Sequence, residues 1–355
     1  MRIPDLADLV EDEAVSFRDH EAVGVSIQEA CAAHADLASF ERLGESEEGR
    51  SIYGVVLGGG PRRVSLIAGA HSDEPVGPET LRTLILESLG RRTAFEALLA
   101  AYQFVIVPHI NPDGEARNRA WMTQWPHLAA YLRHVYRELP GRDLEFGFPA
   151  MRVENRLVAD FLRRHAPFGL HMSLHGMAFS EGAMLLVERH WAGRTQRLRD
   201  GFAQAVRAAG LRLHDHNRKG EKGFFYIEPG FTTTPEGAAM RAHFEALGEP
   251  ATAARFHDSS MEFVRTLGGN PLCLVTELPL FVVARREPHD AGHPAAYLAF
   301  KEYLPNLTLR AARNQDISDA PASFGLEPLG LALAMRLQLR ALRLGLEALR
   351  EALPK

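Results

Sequence analysis

The chain has 355 residues, 46% hydrophobic and 24% charged, enough for a sizeable core and suited to one large α/β domain with a helical appendage. A formal charge of -5 gives no global attraction to polyanions, which argues against nucleic acid or an anionic membrane as partner. Cys31 and Cys273 lie far apart and read as small core residues, so any metal must be held by histidine and carboxylate.

The stretch Met1 to Glu13 mixes acids into the place where an export signal needs an unbroken apolar run, which predicts a cytoplasmic chain without a membrane span. Helical spacing covers 24–40, a turn follows over 41–50, and Ile52 to Leu57 alternates like a strand. After the break Gly58-Gly-Gly-Pro61, a strand over 63–69 opens into His71-Ser-Asp-Glu74. A helix from Pro78 to Leu89 then ends at Gly90. The next strand, Tyr102 to Pro108, leads to Asn111-Pro-Asp-Gly114, a turn signal at the same sheet edge as His71 if the two strands are parallel. A helix over 151–165, strands over 169–174 and 183–187, and a long amphipathic helix over 191–209 continue the alternation. Residues 210–260 are rich in Gly, Thr and Pro and predict an excursion near the mouth of a site, before a strand at 272–278. The tail from Leu329 to Leu353 is an Arg-studded Leu/Ala helix expected to pack on its own domain. The domain reading is 1–320 as a catalytic unit and 321–355 as a helical extension packed on it.

An imidazole and a carboxylate with two residues between them, just past a buried strand, are held rigidly from behind and open to the crevice at the strand ends, which is how a zinc site is usually begun. The third ligand should come from another strand end. His175, in Ser173-Leu-His175-Gly176, fits, with an adjacent glycine leaving room for close approach. His171 lies on the same strand face, four residues back, and reads as a core or supporting histidine. Glu277, in Val275-Thr-Glu-Leu-Pro279, is an acid at the end of an apolar run, a costly placement unless it works as a base beside the metal.

The order Gly44 to Tyr53, Ala68 to Gly77, Asn111 to Gly114, Gly141 to Pro149, Ser173-Leu-His175 and Thr276-Glu277-Leu-Pro279 resembles the zinc metallocarboxypeptidase family over roughly residues 40 to 280. The resemblance implies a three-layer α/β/α fold on a mixed, mostly parallel sheet. It implies one zinc on His71, Glu74 and His175, and Glu277 as the base. It also implies an oxyanion-stabilising arginine after the NPDG segment, for which Arg119 is preferred over Arg117. Two positions depart from the family pattern. Glu145-Phe146 stands where Asn-Arg would clamp a terminal carboxylate, and the tyrosine usually found shortly before the catalytic glutamate is missing from 259–269. Arg142 or Arg152 is then the candidate for a displaced cation, and Glu145 for receiving a positively charged substrate group.

The leading expectation is a zinc hydrolase of an amide or peptide bond, acting on a peptide or an amino-acid-derived substrate. Amidase or deacylase action competes with carboxypeptidase action. A non-catalytic binding protein keeping the metal, or a metal-storage role drawing on His214-Asp-His216, are the alternatives from other classes.

Overall fold

The computed structural model describes residues 3–11, 15–215, 220–285 and 294–352. Its strands are β1 (Ala38–Glu45), β2 (Ser51–Leu57), β3 (Arg62–Ala68), β4 (Tyr102–Val107), β5 (Leu170–Ser180), β6 (Gly182–Val187), β7 (Arg212–Leu213), β8 (Tyr226–Glu228), β9 (Phe231–Thr233), β10 (Leu272–Val282) and β11 (Glu327–Pro328). Its helices are α1 (His20–Ala33), α2 (Val76–Gly90), α3 (Arg92–Ala101), α4 (Pro112–Met122), α5 (Leu128–His134), α6 (Val153–His165), α7 (Gln196–Ala208), α8 (Gly237–Ala246), α9 (Pro250–Ala253), α10 (Ser260–Thr266), α11 (Ala295–Ala312), α12 (Asp319–Phe324) and α13 (Leu331–Glu351).

The strands form one sheet in the order β1-β2-β4-β3-β5-β10-β6-β9-β8, with β7 beside β6 and β11 beside β10. The central run β4-β3-β5-β10 is parallel. On its flanks the pairs β1–β2, β2–β4, β6–β10 and β8–β9 are antiparallel. The sheet is therefore mixed, and the expectation of a mostly parallel one describes its centre.

Strand alternation divides the interior into two cores, which makes the three layers. Tyr102, Phe104 and Ile106 of β4 enter the larger core, together with Leu81 of α2, Leu98 of α3, Phe202 of α7 and Met335, Leu339 and Leu342 of α13. Val105 and Val107 face the other way, against Val158 and Phe161 of α6 and Phe263 of α10. The apolar stripe of α13 is thus buried, and among the described residues no helix is long and apolar enough to cross a membrane.

Several predicted boundaries move for identifiable reasons. The helix expected over 24–40 is α1, which starts at His20 under an Asp19 cap and stops at Ala33. Residues 38–45 instead form β1, an edge strand in which only Ala38 is buried, so no two-residue alternation marks it. The helix does end at Gly90, but a second one follows at once, because Arg91 alone separates α2 from α3. The Asn111-Pro-Asp-Gly114 segment starts a helix rather than making a turn. The Asn111 side chain accepts from Gly114 N–H at 3.0 Å, and Pro112 occupies the first helical position.

Candidate metal centre

Three side chains converge where β3 ends beside the middle of β5. Ala68, the last residue of β3, pairs with Leu174 of β5, so His71 in the loop beyond β3 emerges beside His175. Glu74 closes the same loop just ahead of α2. His71 Nδ1 lies 2.8 Å from Glu74 Oε1, His175 Nδ1 lies 2.8 Å from Glu74 Oε2, and the two Nδ1 atoms are 3.1 Å apart. One ligand atom from each residue falls within 4.8 Å of the others, a spacing a single ion can bridge. Glu74 and His175 are buried, while the His71 side chain keeps 15% exposure and opens the cluster on one side.

The chemistry of the donor set fits a divalent cation. His175 is pulled toward neutrality by burial, yet Glu74 and Glu145 on either side hold its pKa well above the usual histidine range. A field that keeps a proton on a buried imidazole equally favours a cation in the proton's place. Burial opposes charge on Glu74, but His71, Arg137 and His175 hold it well below the ordinary carboxylate range.

Glu145 sits behind this cluster and not in front of it. Its Oε2 lies 2.9 Å from His175 Nε2 and accepts from Ser173 Oγ at 3.0 Å, and its Oε1 accepts from Ser260 N–H at 3.0 Å and Ser260 Oγ at 2.6 Å. With both oxygens turned inward, Glu145 does not receive a substrate group as the sequence suggested. It takes the far nitrogen of His175 and leaves Nδ1 facing the cluster. From the opposite face of the sheet, the fully buried Gln338 of α13 donates to the His175 carbonyl and to Thr276 Oγ1, both at 3.2 Å. Neither support was visible in sequence, since Ser260 and Gln338 carry no local motif.

The loop carrying His71 is fixed from below. Gly69 has φ +75°, and a Cβ there would come within 2.4 Å of the His109 ring, so only glycine lets the chain pass. Buried Asn118 donates to the Ser72 and Tyr136 carbonyls at 2.8 and 2.9 Å and accepts from Tyr136 N–H at 2.9 Å. It ties the His71 loop to the segment carrying Arg137.

Glu277 stands directly opposite His175 in the parallel β5–β10 register and opposite Met184 on β6. Paired residues of neighbouring strands share a sheet face, so Glu277 and His175 lie side by side. His171 also shares that face but is deep, bonded to Ser65 Oγ at 2.8 Å and Ser260 Oγ at 3.2 Å, and burial lowers its pKa to about 4. It belongs to the neutral interior.

The arginines differ from expectation. Arg119 donates to the Phe17 carbonyl at 2.9 Å, and Arg117 is spent on Glu48 and on Tyr136 Oη at 2.6 Å. The cation at the cluster is Arg137, which donates to Asp73 Oδ1 and Glu74 Oε1, each at 2.9 Å, with its side chain 46% exposed. It follows α5 in a segment without regular structure, and the only sequence sign is an arginine next to Glu138, whose carboxylate accepts from Ser72 and Asn111. Arg142 and Arg152 are together, 3.6 and 3.2 Å from Glu47 Oε2. His214 is buried against Ser180 and Glu181, not on the surface, and His216 lies outside the described residues, which leaves the storage motif without support.

Residues 25–184 match the model of the zinc carboxypeptidase family, a family of zinc enzymes. Among curated proteins, carboxypeptidase B of Astacus astacus is 29% identical over 104 residues, covering 28% of this chain and 34% of that protein. The matched part therefore spans about a third of that relative. The inactive metallocarboxypeptidase ECM14 of Ajellomyces capsulatus is 34% identical over 87 residues, covering 22% of this chain and 14% of that protein. Among solved structures, the carboxypeptidase A of Helicoverpa armigera superposes with a TM-score of 0.51 at 13% identity, over 98% of this chain and 79% of that one, a likeness of fold.

Proposed function

We propose that the chain is a zinc-dependent hydrolase of an amide or peptide bond, with His71, Glu74 and His175 as the zinc ligands and Glu277 as the base. The observation that carries this reading is the convergence of two imidazole nitrogens and a carboxylate with Glu277 in register beside them. A zinc ion held there would polarise the scissile carbonyl and make a water acidic enough to attack near neutral pH. Glu277 accepts a proton from the attacking water as its oxygen bonds to the carbonyl carbon, then passes that proton to the amine nitrogen as the C–N bond breaks. Arg137 is placed to counter the negative charge gathering on the carbonyl oxygen, in the role the sequence reading gave to Arg119 or Arg117. Asp73 and Glu74 hold one edge of its fork and leave the rest for substrate.

Chelation is expected to abolish hydrolysis of a blocked peptide panel, and stoichiometric zinc to restore it. Activity surviving full metal removal would discard the mechanism. Running the panel with free and amidated C-termini separates carboxypeptidase from amidase or deacylase action. A zinc-loaded chain inert on every member would favour the binding-protein reading; the ECM14 relative is named inactive. Glu145→Gln is expected to weaken zinc by about 10- to 100-fold, because the supporting carboxylate of a ligand histidine sets its basicity and orientation. Competition against a chromophoric chelator measures this, and an unchanged affinity would remove Glu145 from the site.

A further inference from the structure

One side chain of α13 reaches the three elements on which Glu74, His175 and Glu277 depend. Gln338 is fully buried, and both polar atoms of its amide are engaged. Its Oε1 accepts from Thr80 Oγ1 of α2 at 2.6 Å, while its Nε2 donates to the His175 carbonyl of β5 and to Thr276 Oγ1 of β10, each at 3.2 Å. Every one of these contacts lies next to a group of the metal centre. Helix α2 begins at Val76, just after Glu74, and Thr80 Oγ1 lies 2.9 Å from the Val76 carbonyl in its first turn. His175 is one of the converging donors, and Thr276 precedes Glu277 in β10. Because side chains alternate across a strand, Glu277 on one face sends Thr276 to the other, where α13 meets it.

The backbones around this amide are already as close as they can come. Gly77, in the first turn of α2, rests on the ends of β3 and the middle of β5: a Cβ there would stand 2.5 Å from the Leu174 carbonyl and 3.1 Å from Ala68 Cβ. Gly345 lies two turns beyond Gln338 on the same face of α13, and a Cβ there would stand 2.9 Å from Leu274 Cδ1 and 3.0 Å from Leu170 Cδ1. Both helices are therefore pressed directly onto the strands. An amide inside such an apolar layer is costly unless its hydrogen bonds are made, and it makes them in one arrangement of the three elements only. Apolar packing would tolerate a small slide of α2 over β5; the bonds of Gln338 do not.

We infer that Gln338 is a positioning residue of the metal centre: by tying α2, β5 and β10 together it sets the spacing at which Glu74 and His175 share one ion with Glu277 beside them. It touches neither metal nor substrate. Its effect on metal affinity rests on the reading of His71, Glu74 and His175 as ligands, and its effect on turnover rests further on the hydrolase reading. On this inference α13 is part of the site, whereas the sequence reading set residues 321–355 apart as an extension.

The test compares Gln338→Met with Leu339→Ala in the full chain. Methionine keeps the length of the side chain and removes its hydrogen bonds, whereas Leu339, the next residue, is as deeply buried but belongs to the apolar core. Urea unfolding of the metal-free chains is expected to show both variants destabilised, so Leu339→Ala reports what loosening α13 does by itself. Zinc affinity, read by competition with a chromophoric chelator, is expected to fall about 10- to 100-fold in Gln338→Met, the range for losing a supporting contact of a metal ligand, and to stay within about threefold in Leu339→Ala. With zinc saturating, kcat is expected to fall by up to about 100-fold in Gln338→Met with KM little changed, as small misplacements of reacting groups do. Unchanged zinc affinity in Gln338→Met, or an equal loss in Leu339→Ala, would overturn the inference. Should Gln338→Met fail to fold, Thr80→Val breaks the same tie from α2; a weakened zinc affinity there supports the positioning role, and an unchanged one overturns it. Loss of zinc affinity in Gln338→Met alongside a wild type inert on every peptide would keep the positioning role and discard the hydrolase, whereas a wild type that takes up no zinc would overturn the metal centre and this role together.

Discussion

Glu277→Gln is expected to reduce kcat by about 10²- to 10⁴-fold, the contribution of a well-placed general base, while leaving one zinc per chain. The amide is nearly isosteric, so β10 keeps its pairings to β5 and β6 and the neighbouring side chains keep their positions. It cannot accept a proton from the attacking water. Because Glu277 is not among the three converging donors, zinc content measured on the same preparation should match the wild type. The pairing of lost turnover with retained metal is what separates a base from a ligand. Loss of both would move Glu277 into the coordination sphere, and activity within about threefold of wild type would end its role as base.

How legible all this was in sequence depended on distance along the chain. His71 and Glu74 could be found because they follow the apolar strand β3, and His175 and Glu277 because each is a polar residue after an apolar run, although the strands expected to end there continue, and both lie midway along β5 and β10. The groups that tune them could not. Glu145 looks like a substrate contact until Ser260, 115 positions away, is seen bonded to it. Gln338 has no distinguishing sign in the tail helix, and its role shows only in the packing of α13 under β5 and β10. The resemblance implies a cation after the NPDG segment, on Arg119 or Arg117, but the guanidinium groups of Arg117 and Arg119 serve Glu48 and Phe17. Arg137 reaches the cluster because Asn118 ties its segment to the His71 loop, a tertiary link with no sequence pattern. The fold followed the same rule, clear for buried strands and obscure for the edge strand β1.

Replacing Glu115 with alanine is expected to cost about 3–5 kcal/mol of stability, the penalty for stripping the partner from a buried charge. Arg82 is fully buried, and its NH2 donates to Glu115 Oε2 at 2.7 Å, the closest carboxylate contact it has. His109 Nε2 lies 3.0 Å from the same oxygen, and His109 Nδ1 accepts from Asn111 N–H at 3.0 Å, which fixes the tautomer that donates to Glu115. Since His109 also packs on Gly69, the network underlies the loop that presents His71. Urea denaturation of Glu115→Ala at neutral pH measures the loss, and a change below about 1 kcal/mol would show that Arg82 finds compensation elsewhere. The double variant R82M/E115L removes both charges together and should lose less than Glu115→Ala, because the penalty lies in the orphaned guanidinium rather than in the missing attraction. The network also sets a pH dependence. Burial, helped by His109 and Arg82, lowers the His20 pKa to about 4, below the ordinary value of 6.5. The unfolded chain therefore takes up a proton that folded His20 refuses, and this part of the stability falls as pH drops from about 6.5 toward 4. Glu115 adds a loss of the same sign at lower pH, because Arg82 and His109 outweigh the burial penalty and hold its pKa well below the carboxylate range, so its stabilisation disappears once the carboxyl protonates.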